Sequence, residues 1–132
     1  MDKPIRILLV DDQPDFLETI SSWMESKGHT VLTANDGLQA LETIQEQPID
    51  IVFLDIRMPK LDGIATLRRI RDLKQDLPVI LITAYPEDET MDKVRQLGIS
   101  GFFPKEGGFD KLMMVIEVAL RTHKGLRSEP TS

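Results

Sequence analysis

Hydrophobic residues along the chain fall into short runs that alternate with amphipathic segments. The runs predict five strands: IRILLV (5–10), TVLTA (30–34), IVFL (51–54), PVILIT (78–83) and GFF (101–103). The segments after them carry apolar residues at helical spacing and predict five helices: PDFLETISSWMESKG (14–28), DGLQALETIQEQP (36–48), DGIATLRRIRDL (62–73), EDETMDKVRQLG (87–98) and FDKLMMVIEVALRTH (109–123). Gly28 and Gly98 suit positions just past the first and fourth helices.

The apolar positions of these helices define the faces that we expect to pack inward. On the first three helices they are Phe16, Leu17, Ile20, Trp23 and Met24, then Leu38, Leu41 and Ile44, then Ile64, Leu67, Ile70 and Leu73. On the fifth helix we assign Met113 to the core, whereas Met114 and Val118 fit either the core or an apolar dimer patch. The charged stretch RRIRD (68–72) is interpreted as the solvated face of the third helix.

Strict alternation of strands and helices predicts an α/β domain built on a parallel sheet. The runs ILLV, IVFL and VILI are apolar without alternation, which is typical of strands covered by helices on both faces. Right-handed crossovers then produce a doubly wound, three-layer domain of five strand–helix units. In such sheets ligands bind beyond the carboxyl ends of the strands, where the strand order reverses.

Length and composition fit one globular domain. The chain has 132 residues, 41% of them hydrophobic and 29% charged, and no apolar run is long enough to span a membrane. There is no cysteine, which excludes disulfides, thiolate metal sites and cysteine nucleophiles. A net charge of −6 without a basic cluster argues against binding to nucleic acid or to an anionic membrane. We expect a cytoplasmic domain over residues 1–123 and a polar tail or the start of a linker over 124–132.

Polar side chains stand at the ends of four predicted strands. Asp11 and Asp12 follow the first strand, and Asp55 follows the third. Thr83 ends the fourth strand, and Lys105 comes shortly after the fifth. Neighbouring parallel strands lie about 4.8 Å apart and end at the same edge of the sheet, so these groups can converge on one crevice.

Three clustered carboxylates repel one another, by roughly 3–4 kcal/mol per pair at 4–6 Å and an effective dielectric constant near 20. A hard cation relieves that repulsion, and oxygen ligands without His or Cys favour Mg²⁺. Thr83 and Lys105 would then contact the oxygens of a phosphoryl group bound beside the ion. Asp55 stands alone on a central strand and is the best candidate nucleophile, because carboxylates can form aspartyl phosphates.

The same residues also have purely structural interpretations. Asp11 and Asp12 could cap the first helix, and Asp55 could be an ordinary loop acid. Thr83 could reflect only the preference of threonine for strands. The presence of all three acids together with Lys105 favours the metal site over these alternatives.

Four motifs resemble the receiver domain of two-component response regulators, in the same order and at the same spacing. They are VDDQPDF, FLDIRMPKLDG, LITAY and GFFPK. The resemblance covers roughly residues 4–123. It implies the flavodoxin-like, CheY-like fold, with a five-stranded parallel sheet in the order 2-1-3-4-5.

The resemblance also implies a role for each acidic residue. Asp55 would accept a phosphoryl group from a sensor histidine kinase or a phosphotransfer protein. Asp12 and Asp55 would bind Mg²⁺ directly, with Asp11 close by or bound through water. The backbone carbonyl of Arg57 would be a further ligand.

Other family roles fall on residues around the acids. Thr83 and Lys105 would hold the phosphoryl oxygens. Phe102 would be the rotating switch aromatic coupled to Thr83, although it also fits a partly buried aromatic with no switching role. Arg57 and Tyr85, two residues beyond Asp55 and Thr83, would tune the lifetime of the phosphoryl group.

The family's signalling mode implies the partners. Phosphorylation would reshape the surface of the fourth helix, fifth strand and fifth helix, which could act on an output domain or partner protein or form a homodimer. The domain would catalyse only its own phosphorylation and dephosphorylation. It could be part of a longer regulator, a stand-alone receiver or a phosphorelay intermediate. One departure from the family is Glu106, where a proline is common, so we predict a trans bond between Lys105 and Glu106.

Two other functions compete with the switch. A phosphatase with an aspartyl nucleophile usually has a second Asp two residues later as general acid, and here that residue is Arg57. A flavin-binding module of the same topology needs a loop after the first strand that accepts a phosphate, and the acidic DDQPD (11–15) would repel one.

Overall fold

The computed structural model describes residues 5–55, 63–83, 92, 96–99, 101–104, 114, 117 and 118, with the backbone alone for residues 83 and 101–104. In chain order its elements are β1 (Arg6–Val10), α1 (Pro14–Ser26), β2 (Thr30–Ala34), α2 (Gly37–Glu46), β3 (Ile51–Asp55), α3 (Gly63–Leu73), β4 (Val79–Thr83) and β5 (Gly101–Pro104). The five predicted strands and the first three predicted helices are confirmed. Most of the predicted fourth and fifth helices lies outside the described residues.

The five strands form one parallel sheet in the order β2-β1-β3-β4-β5. This confirms the doubly wound α/β fold and the order that the resemblance implied. From β1 the chain moves outward to β2 and then crosses back to β3 on the other side of β1. The strand order therefore reverses between β1 and β3, which is where ligands bind in sheets of this kind.

The core lies on both faces of the sheet, because successive side chains of a strand point to opposite faces. Leu8 and Val10 of β1 belong to a cluster with buried residues of α2 and α3. Ile7 and Leu9 belong to a second cluster with buried residues of α1. All four are 0% exposed, so the prediction that helices cover both faces is confirmed for β1.

Two leucines that were predicted to pack inward are exposed. Leu38 is 54% exposed and Leu73 is 46% exposed. A spacing of three residues rotates each successive side chain by about 60° around a helix, so a stripe continued at that spacing leaves the buried face. In α2 the buried face runs through Ala40, Leu41 and Ile44, and Leu38 lies to one side of it. The prediction was wrong for Leu38 and Leu73.

The described residues of the predicted fifth helix settle one open alternative. Met114 and Val118, one helical turn apart, are 62% and 50% exposed, so neither belongs to the core. Met113, which we assigned to the core, lies outside the described residues. Within the part of the chain that is described, every helix is too short or too polar to cross a membrane.

Candidate functional site

The register between β1 and β3 brings two aspartates together. Val10 pairs with Leu54, so Asp11 and Asp55, each one residue later, lie next to each other at the carboxyl edge of the sheet. Asp11 is 0% exposed and Asp55 is 4% exposed. Two carboxylates are thus withdrawn from bulk water at the point where the strand order reverses.

Asp11 also shapes the chain that leaves β1. Its backbone N–H donates to the carbonyl of Ala34 at 3.1 Å, which extends the ladder with β2 by one residue. Its Oδ1 accepts a hydrogen bond from the Gln13 N–H at 2.9 Å, a local turn that aspartate favours. Gln13 holds the N-cap position of α1 without a side-chain capping bond, so the alternative in which Asp11 or Asp12 is that cap is wrong.

The third acid completes a compact cluster. One oxygen from each of Asp11, Asp12 and Asp55 lies within 4.8 Å of the other two. Asp12 is exposed, so solvent reaches the cluster from that side. Three carboxylates without His or Cys suit a hard cation, and Mg²⁺ binds one or two carboxylates directly while keeping several waters. The donor set therefore fits a magnesium ion.

The backbones of β4 and β5 end at the same edge. Asp55 pairs with Ile82, and Thr83 follows at the end of β4. Thr83 pairs with Pro104, the last residue of β5, and Phe102 pairs with Leu81. The predicted site residues Lys105, Arg57 and Tyr85, and the bond between residues 105 and 106, lie outside the described residues.

Sequence reasoning missed a set of hydrogen bonds between an arginine side chain of α3 and the backbone of two other segments. Arg71 was assigned to the solvated face of α3, but it is half-buried and its guanidinium donates hydrogen bonds to backbone carbonyls of two other segments. The prediction was wrong for this residue. Its position carried a signal, because Arg71 follows Ile70 and lies four residues after Leu67, and both are 0% exposed.

Residues 7–117 match the family model described as the response regulator receiver domain. The chain belongs to this family. A receiver domain is a signalling domain of two-component systems, and the acidic cluster of this one stands at the carboxyl edge of its sheet.

Similar proteins include regulators from Escherichia coli and from a Mycobacterium species. The receiver domain is 39% identical over 120 residues to the transcriptional regulatory protein ZraR of Escherichia coli (strain K12). The aligned region covers 90% of this chain and 27% of that protein. It is 34% identical over 120 residues to the response regulator MprA of Mycobacterium sp. (strain KMS). That alignment covers 89% of this chain and 51% of that protein. The chain thus spans about a quarter to a half of the length of these relatives.

Solved structures show the same fold. NtrX from Brucella abortus, in complex with ADP, superposes with a TM-score of 0.81 at 34% identity, over 96% of this chain and 29% of that chain. A CheY-like receiver domain from Methanospirillum hungatei JF-1 superposes with a TM-score of 0.85 over 93% of this chain and 98% of that chain. At 23% identity, the second comparison supports the fold alone.

Proposed function

We propose that this receiver domain is a phosphorylation-driven switch, with Asp55 as the phosphoacceptor and Mg²⁺ as the cofactor. The phosphoryl donor is a sensor histidine kinase or a phosphotransfer protein. The observation that carries the proposal is the gathering of Asp11, Asp12 and Asp55 within 4.8 Å at one edge of the sheet. Membership of the receiver family supports the same function.

The acids have distinct tasks in this proposal. Asp12 and Asp55 would supply direct carboxylate ligands to Mg²⁺, Asp11 would bind through water or lie next to the ion, and Arg57 would supply its backbone carbonyl. When bound, Mg²⁺ neutralises the clustered negative charge and polarises a phosphoryl oxygen. Asp11 and Asp55 are buried, and their charges interact more strongly with a nearby cation than charges in open water do.

The chemical step is a transfer between a histidine nitrogen of the donor and a carboxylate of this chain. An oxygen of Asp55 attacks the phosphorus, the bond from phosphorus to nitrogen breaks, and its electron pair stays on the departing imidazole. The product is an acyl phosphate on Asp55. Thr83 donates a hydrogen bond to the phosphoryl oxygens and Lys105 offsets their charge.

In this proposal, β5 transmits the effect of phosphorylation from Thr83 to the surface of the domain. Thr83 and Phe102 lie on adjacent strands, since β4 and β5 pair from Ile80–Gly101 to Thr83–Pro104. Movement of Thr83 toward the phosphoryl group draws Phe102 inward and alters the surface formed by residues 87–98, β5 and residues 109–123. Arg57 and Tyr85 border the phosphoryl group and set its lifetime. An output domain or partner protein reads the changed surface.

Intact-mass measurement after incubation with acetyl phosphate and MgCl₂ tests the proposal. We expect the wild type to gain one phosphoryl group and Asp55→Ala to gain none. The matched control is Asp72→Ala, because Asp72 is an exposed carboxylate near the end of α3. A wild type that remains unmodified, or equal modification of Asp55→Ala, would refute the assignment.

The same samples separate the competing functions. Rapid turnover of many phosphomonoesters without a stable adduct would indicate a phosphatase. A yellow protein with flavin absorbance would indicate a flavin-binding module. A flavin-binding module does not account for two buried carboxylates beside each other, and the phosphatase lacks a second Asp two residues after Asp55, where Arg57 stands.

A further inference from the structure

The side chain of Arg71 joins two backbone segments that are distant in sequence. Its Nη1 donates to the carbonyls of Lys74 at 3.3 Å and Leu77 at 2.7 Å, in the loop between α3 and β4. Its Nε donates to the carbonyls of Leu97 at 3.2 Å and Gly98 at 3.1 Å. Its Nη2 donates to the Gly98 carbonyl at 2.8 Å. All five hydrogen bonds therefore end on backbone oxygens.

The second segment is the end of a helix. Gln96 and Leu97 are helical, and Gly98 has a φ of +90°, the left-handed conformation with which many helices end. The last carbonyls of a helix have no partner within the helix, and a cation is favourable beside them. Burial lowers the pKa of Arg71, and Asp76 partly opposes that shift. The carbonyls thus replace water around a partly desolvated charge.

Both segments lead directly into strands. Leu77 lies two residues before the first residue of β4, and Gly98 lies three residues before the first residue of β5. Leu77 belongs to the core cluster against which Leu97 and Ile99 pack. β4 and β5 are neighbours in the sheet. Arg71 therefore hydrogen-bonds to the segments that lead into two adjacent strands, at the edge of the sheet opposite to the carboxylate cluster. These five hydrogen bonds, from Arg71 to Lys74, Leu77, Leu97 and Gly98, are called the brace below.

We propose that Arg71 is a positioning residue for the phosphoryl site. By bracing the starts of β4 and β5, it sets where both strands end, and hence the placement of Thr83 and of Lys105, which follows Pro104. This inference rests on the proposed function, because those two residues matter only if a phosphoryl group binds there. The acids proposed to hold the ion lie on β3 or just after β1, and none of the five hydrogen bonds of Arg71 reaches either strand.

Two measurements on Arg71→Gln test the brace. Hydrogen exchange of the Gly101, Phe102 and Phe103 amides should become about tenfold faster, since hydrogen bonds that hold the start of β5 are lost. Phosphorylation of Asp55 by acetyl phosphate should slow by about tenfold, because misplacement of positioning groups lowers the rate. The Kd for Mg²⁺, measured by titration calorimetry, should stay within about twofold of the wild-type value, as expected when ligands distant from a substitution are undisturbed.

The matched control is Arg68→Gln, which removes the same charge from an exposed position of α3. It should leave exchange of the β5 amides, the phosphorylation rate and the Kd for Mg²⁺ at wild-type values. Arg71→Lys is a milder second variant, because one ammonium cannot span both segments as the guanidinium does. It keeps the test usable if Arg71→Gln does not fold.

A second pair of variants changes the backbone that accepts hydrogen bonds from Arg71, instead of Arg71 itself. Gly98→Ala places a Cβ 3.5 Å from Arg71 Nε at a left-handed position, and it should also speed exchange of the β5 amides. Gly28→Ala imposes similar backbone strain at a φ of +93° after α1, where nothing lies within 4 Å of the added Cβ. It should lower global stability without a selective effect on β5.

The outcomes separate this inference from the proposed function. Unchanged exchange of the β5 amides in Arg71→Gln and Arg71→Lys overturns the brace. Faster exchange with an unchanged phosphorylation rate confines Arg71 to a structural role and overturns the positioning role. If the wild type takes no phosphoryl group, the proposed function fails, and the positioning role falls with it even where hydrogen exchange supports the brace.

Discussion

At the scale of single residues, two consecutive acids face different environments. Asp11 is 0% exposed and its Oδ1 organises the turn into α1. Asp12, the next residue, is exposed while one of its oxygens stays within 4.8 Å of the cluster. Substitution of Asp11 should therefore affect both the fold and ion binding. Substitution of Asp12 should weaken ion binding without weakening the fold.

Asp12→Asn tests this difference through thermal unfolding with and without MgCl₂. Without Mg²⁺ the variant should unfold at or above the wild-type Tm, because one of three mutually repelling charges is removed. Ion at about 100 times its Kd stabilises a protein by about 2.7 kcal/mol, and we expect the variant to lose most of the corresponding Tm shift.

Asp15→Asn is the control for Asp12→Asn, because Asp15 is a nearby exposed carboxylate of α1. It should keep the full shift with Mg²⁺. An undiminished shift in Asp12→Asn would remove Asp12 from the set of ion ligands.

At the scale of single elements, α2 shows how a local signal places a helix start. Asp36 is the N-cap, and its Oδ1 accepts a hydrogen bond from the Gln39 N–H at 2.8 Å. In return the Oε1 of Gln39 accepts a hydrogen bond from the Asn35 N–H at 2.7 Å. These two bonds resemble a capping box and satisfy backbone donors that have no partner within the helix.

Removing that cap should weaken the whole domain measurably. Asp36→Ala is expected to lower the free energy of unfolding by about 1 kcal/mol, the usual cost of losing such a cap. Asp36→Asn should stay close to the wild type, because asparagine caps equally well. Urea denaturation followed by the fluorescence of Trp23, the single tryptophan, measures the difference. Equal losses for both variants would show that the charge of Asp36, rather than its cap, carries the effect.

At the scale of the whole molecule, β1 connects the two halves of the core. Leu8 faces α2 and α3, whereas Leu9 faces α1, and both are 0% exposed. Leu8→Ala and Leu9→Ala should each lower the free energy of unfolding by about 2–5 kcal/mol, because each leaves a cavity in a packed core. Leu38→Ala, at a position that is 54% exposed, should change it by no more than about 0.5 kcal/mol. If either core variant costs as little as Leu38→Ala in urea denaturation, that face is not packed as described.

The proposed output surface allows a prediction about assembly. Met114 and Val118 form an exposed apolar pair one helical turn apart, and association would remove it from water. If the active form is a homodimer through this surface, light scattering should show a higher mass after phosphorylation. Met114→Glu should suppress that increase, whereas Leu38→Glu, a similarly exposed leucine elsewhere, should not. A phosphorylated wild type that stays monomeric would exclude the dimer.

Local pattern was sufficient to predict the strands and the first three helices, and the order of the predicted strands was sufficient to name the three acids that the fold gathers. Uninterrupted apolar runs and helical stripes depend on neighbours within a few residues, so all five strands and the first three helices could be predicted. The strand order came from the resemblance of four motifs, since periodicity alone leaves strand partners open. Leu38 and Leu73 were misassigned because a regular spacing does not show which side of a helix meets the sheet.

The register, the cluster and the brace were decided by tertiary structure. Pairing between β1 and β3 joins residues 44 positions apart in the chain, as in Ile7 with Ile51, and this pairing is what places Asp11 beside Asp55. The role of Arg71 depends on carbonyls as far away as Gly98. The sequence does not show which backbone oxygens will surround a charged side chain, because every residue has the same backbone carbonyl. Only the packing of the folded chain determines which of these carbonyls lie next to Arg71.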